Sequence, residues 1–496
     1  MSESKGPDAK TDIVGIFVEG QWQRATSGQT HEVISPVTEE LVATVPMASA
    51  EDAARAAQSA RRAFDTDPWP RLTMAERAEY LRRVAGGLER RVEELAACTV
   101  AELGTPLVAA RQRVLNAVSI WRATADSASA LPGAEDRALP GDRIARVLRV
   151  PVGAVLVITP WNAPLPLASM KISAALAAGC TVVLKPASEA PFTLPILADV
   201  MAEAGVPAGV FNLLLATPEV TAELTRHPDL DMVTFTGSTQ VGKQVMRACS
   251  ESMKRVALEL GGKSASVVTE DVEPEDIVPR LLAITGMSLA GQTCASRNRI
   301  LVPRSRKEQW ESAIAEAVGK LRVGPPSDAA ADVGPLATRA QRDRVERYIA
   351  LGTEQGARLL VGGRRPPGLD RGWYVEPTVF ADVDPEMTIA QEEIFGPVLT
   401  VIPYDDDEHA IAISNSTVYG LSGAVFCGDP ERGMRIAQGV RSGTFQINST
   451  GSLLDGPFGG MKQSGIGRES GLEGIEEFCE IRQIQFPTGA VAPVAS

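Results

Sequence analysis

The sequence predicts an α/β protein: two units in which helices alternate with the strands of a parallel sheet, plus strands that belong to neither. The first unit is read from short β-branched runs at 152–158, 181–184, 210–215, 232–236 and 265–268, separated by helical stretches at 165–178, 191–204, 217–226 and 239–251. The repeat of about 25–30 residues leaves room for one crossover helix between parallel strands, as in a nucleotide-binding sheet. A second alternating series runs from about 275 to 447 and includes Val398–Ile402 and the run 422–426. The segments 138–151 and 477–486 alternate apolar and charged residues and fit neither series.

The elements follow in chain order. Residues 1–12 read as a disordered tail, and Met1 to Lys10 lack the apolar core of a signal peptide. Segments 51–66, 74–103 and 107–130 are rich in Ala, Leu, Arg and Glu, with apolar residues three and four apart, and are expected to be helices. Pro68 and Pro70 punctuate the first pair, and Gly104-Thr-Pro106 the second. The longest apolar run, Val150 to Thr159, is too short to cross a bilayer and contains Pro and Gly.

Composition narrows the function. A chain of 496 residues exceeds one ordinary core, so two or three domains are expected. A hydrophobic content of 44% with 22% charged residues is globular. The formal net charge of −13 argues against nucleic acid or an anionic membrane as partner and suits a cytoplasmic enzyme. The cysteines at 98, 180, 249, 294, 427 and 479 show no CxxC spacing, which speaks against a disulfide framework or a zinc site. With only His31, His227 and His409, and no HExxH, neither a metal centre nor a histidine-based triad is expected.

Two segments carry the chemistry. Glu259-Leu-Gly-Gly-Lys-Ser sets a carboxylate beside two glycines, and Gly291-Gln-Thr-Cys294 sets a cysteine 35 residues further on. Brought together, a thiol nucleophile and a carboxylate base can form a covalent adduct with a carbonyl and then activate water to release it. The apolar neighbours Ala257, Leu258 and Leu260 should raise the Glu259 pKa and suit it to accept a proton near neutrality. Taken alone, a cysteine such as Cys294 is more often an inert core thiol, as assumed for Cys180, and Glu259 could be a solvated carboxylate at a strand end. Asn162 follows the strand 152–158, where its amide could point into a crevice or simply cap a loop.

With Pro160-Trp161-Asn162, Lys185-Pro186, Phe235-Thr236-Gly237-Ser238 and Glu392-Glu393-Ile394-Phe395-Gly396-Pro397, the order and spacing of these segments resemble the aldehyde dehydrogenase superfamily, from about Val18 to Ile484. The resemblance implies two Rossmann-like domains and a small β bridging element. Residues 1–131 with 152–261 would bind the dinucleotide, 262–476 would be catalytic, and 132–151 with 477–496 would supply strands that join subunits into a homodimer or homotetramer. It implies Cys294 as nucleophile, Asn162 and the Cys294 N–H as oxyanion donors, and Glu259 as base for the deacylating water. Relatives that pass the acyl group to coenzyme A typically lack a glutamate at this position, so release of the free acid is implied. Lys171 and Glu469 match a lysine–carboxylate pair near the water path, although both could be ordinary helix-surface residues.

The implied cofactor is NAD or NADP, held by Trp161, Lys185, Ser188, Gly237, Ser238, Glu393 and Phe395. Ser238 opens a helix whose N-terminus suits a pyrophosphate, without a GxGxxG fingerprint. NAD-preferring relatives often carry glutamate three positions after the lysine. Here Ser188 stands there and the acid comes one later, at Glu189, so NADP use is plausible. Several relatives place aromatic residues at positions matching Ala163, Ser288 and Ser452, all small here. With Trp121, Pro166, Met170, Thr293, Ala295 and Phe458 they are expected to line a widened tunnel for a larger or branched aldehyde. Two alternatives stand beside this reading. A semialdehyde dehydrogenase would need a cation in the tunnel, for which Arg122 and Arg297 are candidates. A catalytically silent relative, like the lens crystallins of this fold, is opposed by the joint presence of Cys294, Glu259 and Asn162.

Overall fold

The computed structural model describes residues 15–452 and 456–491. The tail expected at 1–12 lies outside the described residues. The first sheet has eight strands in the order Gly465–Ile466, Arg255–Glu259, Met232–Thr236, Ala154–Ile158, Thr181–Lys185, Phe211–Leu213, Ile16–Val18 and Gln21–Gln23. From Arg255–Glu259 to Phe211–Leu213 the pairing is parallel. Every residue of Ala154–Ile158 and Met232–Thr236 is buried, as a sheet covered on both faces requires.

The parallel part of this sheet starts at Ala154–Ile158, moves outward through Thr181–Lys185 and Phe211–Leu213, then crosses back to Met232–Thr236 on the other side. Strand order therefore reverses between Ala154–Ile158 and Met232–Thr236. Loops leaving the carboxyl ends of two such strands diverge, and a crevice opens between them.

The second sheet has seven strands in the order Arg358–Val361, Thr378–Ala381, Val398–Tyr404, Arg299–Pro303, Ala265–Val268, Gly423–Phe426 and Gln446–Ile447. All pairs are parallel except the one made by the edge strand Arg358–Val361. This corrects one sequence expectation. The run 265–268 does not close the first series. It sits inside the second sheet, and Arg255–Glu259 takes the expected place. A run of four residues is too short for a periodicity that names its sheet, so hydrogen-bond pairing decides.

The helix expected at 74–103 is two, Met74–Arg90 and Val92–Leu103, broken at Arg91 with φ −108° and ψ 22°. No Gly or Pro marks that break. Two short antiparallel pairs near the N-terminus, Ile16–Val18 with Gln21–Gln23 and Thr30–Ile34 with Leu41–Pro46, were not anticipated.

The remaining strands form a third, antiparallel sheet in the order Cys479–Pro487, Arg143–Pro151, Ala134–Leu139. The segment 138–151, expected as one strand, turns at Pro140-Gly141-Asp142, where Gly141 and Asp142 adopt φ +77° and +50°. The two segments that fit neither series pair with each other, from Cys479 opposite Pro151 to Pro487 opposite Arg143. The outer edge of Cys479–Pro487 has no strand partner among the described residues, and Ile481 on it is 65% exposed. No helix among the described residues is long and apolar enough to cross a membrane.

Candidate active site

Strand ends from both sheets converge on one cleft. Pro160, Trp161 and Asn162 follow Ala154–Ile158, Gly237 and Ser238 follow Met232–Thr236, and Leu260 and Gly261 follow Arg255–Glu259. Opposite them stand Cys294, Glu393 and Phe395, with Gln341 and Arg344 from the helix Arg339–Glu354. Together these residues line a cavity of about 250 Å³.

Cys294 lies on a tight segment whose glycines are required by packing. A Cβ on Gly291 would fall 2.1 Å from the Gly396 carbonyl oxygen, and one on Gly262 would fall 2.3 Å from the Cys294 carbonyl oxygen. The thiol is partly accessible, and the Ala295 N–H points at it. Burial pushes its pKa up, and the carboxylates of Glu259 and Glu393 add to the rise.

Asn162 is held at both its side chain and its backbone. Its Nδ2 donates to the Gln292 carbonyl at 2.9 Å, and the Gln292 side chain in turn accepts from the Ala337 N–H at 2.9 Å. Its own carbonyl accepts from Arg113 Nη1 at 2.8 Å. One amide hydrogen of Asn162 is left for a ligand, and among the described residues the Cys294 N–H has no acceptor.

Glu259 ends its strand almost fully buried. Its Oε1 accepts from the Gly460 N–H at 3.1 Å, while Oε2 has no partner. Burial raises its pKa well above the usual carboxylate range, Glu469 raises it further, and Lys171 opposes both. Lys171 and Glu469, expected as either surface residues or a functional pair, form a buried ion pair, and Lys171 also donates to Thr234 Oγ1 at 3.1 Å. Glu469 is anchored to Phe458 by two reciprocal backbone hydrogen bonds of 2.7 Å. Its free oxygen, like that of Glu259, is buried without a partner.

On the far side of Cys294, Ile120, Met170, Leu421 and Phe458 pack together with Leu167 and Ala295. Of the expected tunnel residues, Met170, Ala295 and Phe458 are therefore next to the thiol. Trp121 is not. It is fully buried in the main core and donates to Ser169 Oγ at 2.9 Å. Ile120 takes the lining position, because consecutive helical residues point about 100° apart. Thr293 is half-buried, its methyl where a Cβ on Gly286 would come within 2.4 Å. Ala163 and Pro166 flank the start of the helix Pro164–Ala178 and are half-buried, and Ser452 is exposed. Ser288 lines a separate narrow cavity with Trp161, Asn162 and Gln292.

Neither cation suggested for a semialdehyde tunnel is there. Arg122 is exposed and paired with Glu89, and Arg297 is buried against Gln446 at 2.8 Å. The helical face of each residue, invisible in a local motif, sets these positions.

The residues expected to hold a nicotinamide cofactor fit such a group. Ser238 caps the helix Thr239–Ser250 by accepting from the Val241 N–H, leaving the helix N-terminus open to an anion. A Cβ on Gly261 would lie 2.5 Å from Glu393 Oε2, and Glu393 Oε1 accepts from the Gly262 N–H at 3.1 Å. Burial pushes Glu393 up to about 7. Burial pulls Lys185 down and Glu189 opposes that shift, yet Lys185 makes no ion pair among the described residues. Ser188 is half-buried and Glu189 exposed. Trp161 and Phe395 meet edge to face at 5.4 Å.

Phe395 has φ +60°, a strained value for an aromatic residue. Gln341 Nε2 donates to its carbonyl at 2.7 Å, Arg344 Nη2 to the Glu393 carbonyl at 2.6 Å, and the Tyr348 hydroxyl to Glu392 Oε2 at 2.6 Å. Sequence reading missed this row. The spacing 341, 344, 348 marks one helix face, but its polarity is that of any solvated helix.

Comparison with known proteins agrees with this geometry. The family model described as "Aldehyde dehydrogenase family" matches residues 22–484. A geranial dehydrogenase of Castellaniella defragrans is 43% identical, over 95% of this chain and 98% of that protein. A 3-succinoylsemialdehyde-pyridine dehydrogenase of a Pseudomonas species is 41% identical, over 97% of this chain and 100% of that protein. Among solved structures, a Mycobacterium tuberculosis aldehyde dehydrogenase complexed with NAD+ superposes with a TM-score of 0.95 at 45% identity, covering 98% of this chain and 100% of the other. A Staphylococcus aureus betaine aldehyde dehydrogenase with NAD+ and a modified cysteine gives 0.93 at 35% identity, covering 97% of each chain.

Proposed function

The chain belongs to the aldehyde dehydrogenase family, and from that premise we propose that it oxidises an aldehyde to the free carboxylic acid with NAD or NADP, using Cys294 as nucleophile and Glu259 as base. The observation that carries this reading is a single cleft bounded by the Cys294 thiol and the Asn162 side chain, with Glu259 buried behind them and one oxygen unpartnered. The Cys294 thiol gives its proton to water as its sulfur adds to the aldehyde carbon. The oxygen that gains charge receives the free Asn162 amide hydrogen and the Cys294 N–H. The nicotinamide, when bound, supplies the hydride acceptor; Trp161, Lys185, Gly237, Ser238, Glu393 and Phe395 would hold it. Loss of hydride leaves an acyl group on the sulfur as a thioester. Glu259 then takes a proton from water, the water oxygen attacks the acyl carbon, and the acid leaves as the Cys294 thiol re-forms. The Lys171–Glu469 pair sits where it can pass that proton onward. NAD(P)H formation with a broad aldehyde panel tests the reading; no turnover with any aldehyde would overturn it.

In this reading 1–131 with 152–261 hold the cofactor, 262–476 carry the thiol, and the protein works in the cytoplasm. The small side chain of Ala163, at the start of the helix Pro164–Ala178, favours a larger or branched aldehyde over acetaldehyde. The names of the geranial and pyridine-semialdehyde relatives point the same way.

Cofactor choice rests on Ser188. Without a carboxylate facing the ribose 2′ position, both NAD and NADP are expected to support turnover. Ser188→Glu should shift the ratio of kcat/KM toward NAD by about tenfold or more, through ribose hydrogen bonds and repulsion of the 2′-phosphate. Strong rejection of NADP by the unmodified protein would place the choice elsewhere.

Assembly follows from the third sheet. The open edge of Cys479–Pro487, with Ile481 exposed on it, is a liability that pairing with a second copy removes. A homodimer, or a tetramer built from dimers, is expected, with 132–151 and 477–496 at the contact. Truncation before Phe478 should cause dissociation or aggregation. A stable, active monomer in sedimentation would rule this out.

A further inference from the structure

Among the described residues, Arg113 is an arginine without an ion-pair partner beside the candidate site. It projects from the helix Leu107–Ala130, and its Nη1 donates to the carbonyl of Asn162 at 2.8 Å. No other hydrogen bond and no carboxylate engages it among the described residues. Its surroundings strip water from it enough to pull its pKa down to about 10, with burial as the only cause. Arg299, by contrast, is buried and gives Nε, Nη1 and Nη2 to the carbonyls of Lys263, Ile413 and Ser414. Arg113 is only half-buried, and none of its remaining N–H groups is enclosed without a partner. They face a space that solvent or a ligand can reach.

The helix face that carries Arg113 leads to the aldehyde side of the cleft. Ile120, seven residues on, lies on the same face of the helix, about 10 Å along its axis. Ile120 packs with Met170 and Phe458 beside Cys294. Arg113 also touches Asn162 itself, the residue whose side-chain amide is proposed above to meet the reacting oxygen. A substrate with its aldehyde at Cys294 and several carbons beyond it would bring its far end toward the guanidinium.

We propose that Arg113 binds an anionic group at the far end of the substrate, so that the protein selects aldehydes bearing a carboxylate or an equivalent anion. This rests on the aldehyde oxidation proposed above and names its substrate class. A partly desolvated guanidinium without a counter-ion is unfavourable, and a carboxylate taking two parallel N–H donors satisfies it.

The test compares matched aldehydes, 6-oxohexanoate against hexanal and 8-oxooctanoate against octanal, by kcat/KM with saturating NAD. The wild type is expected to favour the anionic member of at least one pair by about ten- to a hundredfold, the range of a charge-assisted hydrogen-bonded pair. That ratio should shrink as ionic strength rises. Arg113→Gln should bring it near unity, and Arg113→Lys should keep part of it. Hexanoate and octanoate should inhibit the wild type competitively with aldehyde and inhibit Arg113→Gln far less.

Equal use of both members of each pair by the wild type overturns the inference. So does a Gln variant that loses both activities in proportion, because Arg113 would then act only by positioning Asn162. If the Gln variant does not fold, the wild-type ratio, its salt dependence and the Lys variant still decide. A wild type that oxidises no aldehyde at all would instead refute the proposed function itself.

Discussion

Cys294→Ser folds, binds NAD and oxidises no aldehyde at an appreciable rate; a loss of at least about 10⁴-fold in kcat is expected, as for other enzymes stripped of their nucleophile. The substitution changes one atom in a partly accessible turn, so the surrounding packing is retained. What it removes is the thiolate. A hydroxyl ionises far above the working pH, and in this site burial and the flanking carboxylates of Glu259 and Glu393, which push the Cys294 thiol up, would push an alcohol higher still. Cofactor binding, followed by quenching of tryptophan fluorescence, should be within a few-fold of wild type. Trp161 lines the same cleft and is a natural reporter. Turnover close to wild type would remove Cys294 from the mechanism.

Glu259→Gln separates the two half-reactions. The first turnover should still release NADH in a burst close to one equivalent per active site. The steady rate that follows should fall by about 10²–10⁴-fold, the usual contribution of a positioned base. The amide can still accept the Gly460 N–H on its oxygen, so the local fold is kept. It cannot take a proton from water.

The pH dependence has a definite sign. The Glu259 pKa is raised by burial and by Glu469, so the carboxyl is neutral below that raised value and a competent base only above it. Steady turnover of the wild type should therefore decline as pH falls through the raised pKa. In the Gln variant that inflection should be absent from the steady rate. Burst and steady rate falling together would show that Glu259 does more than release the acyl group.

How much of this was legible in the sequence can be judged element by element. The strands Ala154–Ile158, Thr181–Lys185 and Met232–Thr236 were readable because each is a buried β-branched run bounded by turn residues, a signal contained in a few neighbouring positions. The cap at Ser238 was readable for the same reason. The run Ala265–Val268 was seen as a strand but given to the wrong sheet, since its partners Arg299–Pro303 and Gly423–Phe426 lie far along the chain. The break at Arg91 left no local mark.

The candidate site divides along the same line. Cys294, Glu259 and Asn162 could be named from short motifs whose glycines and order resemble a family. Their surroundings could not. Trp121 and Ile120 are adjacent in sequence, but a turn of about 100° sends one into the core and the other toward Cys294. Arg122 and Arg113 share one helix, yet Arg122 meets Glu89 at the surface while Arg113 reaches Asn162. Lys171 and Glu469 are 298 residues apart, and only packing turns them into a buried pair that shifts Glu259.

By itself, then, the sequence determined the α/β class, the family resemblance and the reacting groups, because each depends on side-chain chemistry and on spacing within a few turns of chain. Only the tertiary structure decided which sheet each strand joins, which face of a helix meets the cleft, and which charges are stripped of water. Those outcomes are set by long-range pairing and burial, and their electrostatic consequences exist only once the intervening solvent has been excluded.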